Sequence, residues 1–74
     1  MIEELIELVA EIVDLPENQI DEKSGPMTLP EWDSLAHFCI VAAIEEKYKI
    51  KLEMNQIITI KSIKDIENFI KEKQ

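Results

Sequence analysis

The sequence predicts an all-α fold: a small four-helix bundle with a long first loop and a short third helix. Three observations carry that prediction. Apolar residues recur at helical spacing in separate stretches of the 74-residue chain, and no stretch of useful length alternates with the period of a strand. All three prolines and the only glycine fall in one connection between the first two periodic stretches. A chain of this length implies one domain spanning residues 1–74, with a core that supplies only about 3–5 kcal/mol of net stability.

The first helix is predicted from about residue 2 to residue 13. Ile2, Leu5, Ile6, Val9, Ile12 and Val13 form its apolar face, and Glu3, Glu4, Glu7 and Glu11 fill the other. Early glutamates suit the positive end of the helix dipole, and Pro16 ends the run. Residues 14–33 make a connection longer than the roughly 12–15 residues usual in compact domains, which points to a loop wrapped on the body. Ile20 and Met27, with Leu15 and Leu29, are the expected pins, and a short helical turn is expected near Glu17–Ile20. Trp32 reads as an aromatic that packs this loop onto the bundle, with direct contact to a partner as the alternative.

The second helix is predicted over residues 34–48, with Asp33 as its N-cap. Ile40, Val41 and Ile44 make the inward stripe, while Leu35, Phe38 and Ala42 fall on a neighbouring stripe expected to stay partly exposed. Ile50 and Leu52 alternate with lysines in a short extended link. Glu53–Thr59 is expected to hold one or two helical turns, anchored by Met54, Ile57 and Ile58. Ser62 opens the last helix, where Ser62 and Asp65 have capping-box spacing and Ile63, Ile66, Phe69 and Ile70 form the buried face.

Charge narrows the function. Sixteen acids face eight bases, all lysine, for a net charge of −8. That excludes the basic footprint a nucleic-acid binder needs and disfavours anionic membranes. It favours partners with a basic face and association that weakens with salt. A monomer is expected. The single Cys39 cannot make an internal disulfide and reads as a small hydrophobe. The acidic start does not resemble a signal peptide, and no apolar run approaches the ~18–20 residues of a membrane span, so a cytoplasmic protein is expected.

Candidate chemistry is sparse. His37 and Cys39 are too few for a zinc cluster, and the acids lack the spacing of a calcium loop, so no metal is expected. His37 lies three residues after Ser34, but no oxyanion hole or pocket accompanies the pair, so an enzyme is not expected and His37 reads as a surface residue on the first helical turn. Ser34 stands out for its place. A serine at a helix start is exposed, and a phosphodiester there lies near unpaired N–H groups and the positive dipole end, although Asp33 opposes it. The plain alternative is that Asp33 and Ser34 merely cap a helix.

The run Asp33-Ser34-Leu35 resembles the attachment motif of acyl and peptidyl carrier proteins. The similarity continues through Ala36–Ile44, Glu45-Glu46-Lys47-Tyr48, the Ile50/Leu52 link and Ile60-Lys61-Ser62-Ile63, and so covers essentially the whole chain. The resemblance implies a covalent 4'-phosphopantetheine on Ser34, with Asp33 as the acid beside it. It implies that Leu35, Phe38 and Ala42 are exposed apolar positions of a recognition helix, and that Glu45 and Glu46 meet basic patches on partner enzymes. Those partners would be a phosphopantetheinyl transferase, a ligase that loads acyl or aminoacyl groups, and acyl-transferring enzymes. The approach Leu29-Pro30-Glu31-Trp32 departs from that of fatty-acid carriers, and the W-D-S-L-x-H run is more similar to stand-alone carriers of specialised pathways. Those handle amino acids, hydroxy acids, polyketide starters or surface-polysaccharide substituents. The competing reading is an acidic helical interaction module that uses the same surface without a prosthetic group.

Overall fold

A computed structural model describes residues 1–74, and its regular elements are all helical, with no strand. Helix α1 spans Ile2–Val13, a single 3-10 turn spans Glu17–Gln19, α2 spans Ser34–Tyr48, α3 spans Met54–Thr59 and α4 spans Ile63–Lys73. The predicted element order and class hold, and the helix bounds fall where periodicity and capping residues placed them. No helix is long and apolar enough to cross a membrane.

Helix α1 packs against both α2 and α4. Leu5, Val9 and Val13 meet Ile40, Val41 and Ile44 from α2 and Ile63, Ile66 and Ile70 from α4 in one continuous core. Helices α1 and α2 end alike. Asp14 and Lys49 adopt left-handed backbone (φ 60° and 57°), and the next N–H turns back, Leu15 to the Ala10 carbonyl at 3.1 Å and Ile50 to the Glu45 carbonyl at 3.2 Å. This closure reverses the chain and returns Leu15 and Ile50 to the edge of the core.

Four side chains hold the long loop. Ile20 is buried, Leu15 and Leu29 are half-buried against the core, and Trp32 is 2 % exposed, as expected of the loop's aromatic. Its backbone also caps α4. Ile63 N–H donates to the Ser24 carbonyl at 3.0 Å and Lys64 N–H to the Glu22 carbonyl at 2.9 Å, while Ser62 Oγ accepts from Asp65 N–H. These three bonds satisfy the first free donors of α4. Asp65 reaches back to the N–H of Lys61 at 2.9 Å, one residue before the N-cap that a capping box would engage. Gly25 passes so close to the Lys61 carbonyl that no side chain fits there.

Three expected anchors are corrected. Met27 is 85 % exposed, Ile58 is 66 % exposed and Met54 is exposed too; Trp32 and Ile57 are buried as expected, and Ile60 joins them. Helix α3 is under two turns long, so it has room for only one inward position, and Ile57 takes it. Glu67, unforeseen, is buried on α4, its carboxylate gathered by Lys64 at 2.8 Å and Lys71 at 3.8 Å. The Lys64 hydrogen bond is the main reason its pKa lies below the usual glutamate value. At the far end of α2 the Tyr48 hydroxyl is covered with no hydrogen-bond partner; loss of solvent, then the nearby Glu4 charge, raises its pKa.

Candidate functional site

The start of α2 is built by Asp33. Its extended backbone sets the helix entry, Oδ1 accepts from Ala36 N–H at 2.9 Å, and its carbonyl accepts from His37 N–H at 2.8 Å. The N–H groups of Ser34 and Leu35 have no acceptor within the protein. Ser34 is exposed, so its hydroxyl stands at the helix mouth beside two free donors.

A shallow groove of about 540 Å³ opens next to that hydroxyl. Met27 from the loop, Phe38 from α2 and Ile58 from α3 supply its apolar wall, and Asp33 and Lys61 supply opposite charges. The residues misread as core anchors, Met27 and Ile58, are thus wall residues of the groove. Trp32 belongs both to the groove and to the core, so its indole is the floor between them.

His37 is not the unengaged surface residue that its sequence position implied. The Trp32 Nε1–H donates to His37 Nδ1 at 2.9 Å, and His37 Nε2 lies 2.8 Å from the Ile57 carbonyl. Indole nitrogen is a donor only, so Nδ1 accepts and the proton sits on Nε2, which donates to the carbonyl. One neutral imidazole therefore ties the loop to α2 and α2 to α3. The sequence held a partial signal in two polar aromatics five residues apart; the third partner is a main-chain oxygen twenty residues further on.

The outward stripe of α2 is as expected. Leu35 is 75 % and Phe38 is 48 % exposed, and Ala42 and Cys39 are open to solvent. The acidic pair at the far end divides. Glu46 is exposed, whereas Glu45 is half-buried and accepts from Leu52 N–H at 2.9 Å, so it also fastens the link to α2. No three His, Cys, Asp or Glu side chains converge as a metal set.

The family model for the phosphopantetheine attachment site matches residues 3–70. The chain belongs to this family. No curated protein matches the chain. Carriers of this family hold 4'-phosphopantetheine covalently and are not themselves catalysts. The residues at the mouth of α2 fit such a group: an unhindered hydroxyl, two unpaired N–H donors for phosphate oxygens, and the Lys61 ammonium on the same groove to offset Asp33.

Proposed function

We propose that Ser34 is the attachment residue and that the chain is an acyl or aminoacyl carrier, serving enzymes of a specialised pathway in the cytoplasm. The exposed Ser34 hydroxyl at the capped start of α2 is the observation that supports this most. Ser34 Oγ is the nucleophile toward the pantetheine-side phosphorus of coenzyme A: a new O–P bond forms, the adenosine bisphosphate half leaves, and the hydroxyl proton passes to a base of the transferase. The distal thiol of the arm supplies the thioester link to cargo. Asp33 keeps the helix start rigid, and the free N–H groups of Ser34 and Leu35 receive the phosphate oxygens.

Partner enzymes dock on the outward stripe, where Leu35, Phe38 and Ala42 give apolar contact and Glu46, with the half-buried Glu45, meets basic side chains. The partners are a phosphopantetheinyl transferase, a loading ligase and acyl-transferring enzymes. The test is intact-mass measurement after incubation with coenzyme A and a broad-specificity transferase. Wild type gains one arm and Ser34→Ala gains none, with an unchanged melting temperature because residue 34 is exposed. An arm on Ser34→Ala, or no arm on wild type, refutes the assignment.

A further inference from the structure

The seam between α2 and α3 is stapled shut beside Ser34. Trp32 floors the groove and is 2 % exposed, with its only polar atom bonded to His37. His37 in turn holds the α3 backbone through the Ile57 carbonyl. The core to which Trp32 belongs includes Ile40, Ile44 and Ile63, each at 1 % exposure or less. An alkyl chain entering from the groove must displace the indole and break both bonds. That would strand the donor of the buried Trp32, which is costly without a partner, and free the half-buried His37 ring from both of its bonds. Outside the staple the groove is shallow and open, and its apolar wall stands beside the charges of Asp33 and Lys61, so a chain lying there stays in contact with water.

From this closed seam we infer that the thioester cargo stays outside the bundle, so the chain serves short or polar acyl and aminoacyl groups and not long alkyl chains. The inference rests on the carrier reading of Ser34 and adds the class of cargo and the residues, Trp32 and His37, that set it. His37 here is a positioning residue: it acts by holding Trp32 and Ile57 together.

The experiment loads the full chain with arms bearing acetyl, octanoyl or dodecanoyl groups, each taken from its coenzyme A thioester by a broad-specificity transferase. Intact mass first verifies loading; without it the carrier reading fails and this inference falls with it. Melting temperatures and NMR contacts between chain methylenes and protein methyls are then compared. The three loaded forms of wild type are expected to melt within about 2 °C of one another, because no methylene leaves water on folding. A sequestered octanoyl chain would raise the melting temperature by about 10 °C or more over acetyl. That rise, or contacts from the chain to Ile40, Ile44 or Ile57, overturns the inference while leaving the carrier reading intact. His37→Ala cuts the staple and keeps the indole. Length dependence is expected to emerge in it, and its absence would refute the staple as the barrier.

Discussion

Replacing Gly25 with alanine adds one methyl where the loop has no room for it. A Cβ at that position would lie 1.9 Å from the Lys61 carbonyl oxygen, 2.6 Å from its carbonyl carbon and 3.2 Å from the Ser62 Cα. All three are backbone atoms, so no side chain can rotate aside. Gly25 is not in left-handed backbone, so alanine brings no conformational strain of its own and the whole cost is the close approach. If the loop holds its place, overpacking costs about 1–3 kcal/mol. If it retreats, the bonds from Ile63 to Ser24 and from Lys64 to Glu22 stretch or break, at about 1 kcal/mol each. The cost is about 1–3 kcal/mol by the first route and about 2 kcal/mol by the second, a large share of the roughly 3–5 kcal/mol that a domain this small commands. The melting temperature should fall by about 4–24 °C, and the Ile63 and Lys64 amides should lose protection from hydrogen exchange. Circular dichroism melts and amide exchange read both. A melting temperature within about 2 °C of wild type, with both amides still protected, would show that the loop does not cap α4 as described.

Three further outcomes follow from single side chains. Asp33→Ala removes the N-cap acceptor for Ala36 and should cost about 1 kcal/mol, or about 4–8 °C in thermal melts, whereas Asp33→Asn should retain most of it. Tyr48→Phe deletes a covered hydroxyl that has no partner and should leave chemical-denaturation midpoints unchanged or slightly higher; a clear loss would mean the hydroxyl is bonded. Glu67 holds its charge to lower pH in the folded state than in the unfolded chain, with the Lys64 bond the main cause. Its contribution is therefore present above the ordinary value of 4.5 and is lost as pH falls through the lowered folded-state pKa. Melts of wild type and Glu67→Gln taken from about pH 6 to about pH 3 should converge in acid, and a constant gap would refute the linkage.

The parts of this fold that were legible are those written in side-chain type and spacing. The periodic apolar residues of α1 and α4, Asp33 before a helix-favouring run, and a lone tryptophan in a long loop each have one economical physical reading, and each is found. The misreadings share a cause. Met27, Met54 and Ile58 read as inward because they are apolar, but burial of apolar residues is a one-way rule, and in a six-residue helix periodicity cannot say which residue turns in. Glu67 follows Ile63 by four residues and so lies on the buried stripe; the helical period places it there, and only its charge argued otherwise. The remaining gaps involve main-chain atoms. Any residue supplies a carbonyl, so the Ile57 acceptor for His37 and the Glu22 and Ser24 acceptors for α4 leave no trace in residue identity. At the site, the exposure of Ser34, Leu35, Phe38 and Ala42 was readable from helical position, whereas the groove was not, because Phe38, Met27 and Ile58 come from three separate elements.

The proposed role also explains why α2 carries apolar residues on two faces. Its inward residues already complete the core, so the outward Leu35 and Phe38 contribute little to stability and tend to promote association. A net charge of −8 counters that by keeping copies apart, and it steers a basic partner toward the surface. The arrangement of the acids fits both tasks. Beyond the N-cap Asp33, the first turns of α2 carry no acid, and the Asp33 carboxylate is already engaged with Ala36. The acids resume at Glu45 and Glu46, at the other end of the same helix. Attraction from there acts over a Debye length of about 8 Å at physiological salt, after which the small apolar stripe makes contact. A footprint that small releases quickly. Quick release is sufficient, because a tether on Ser34 keeps cargo at an effective concentration of roughly millimolar for as long as the partners touch.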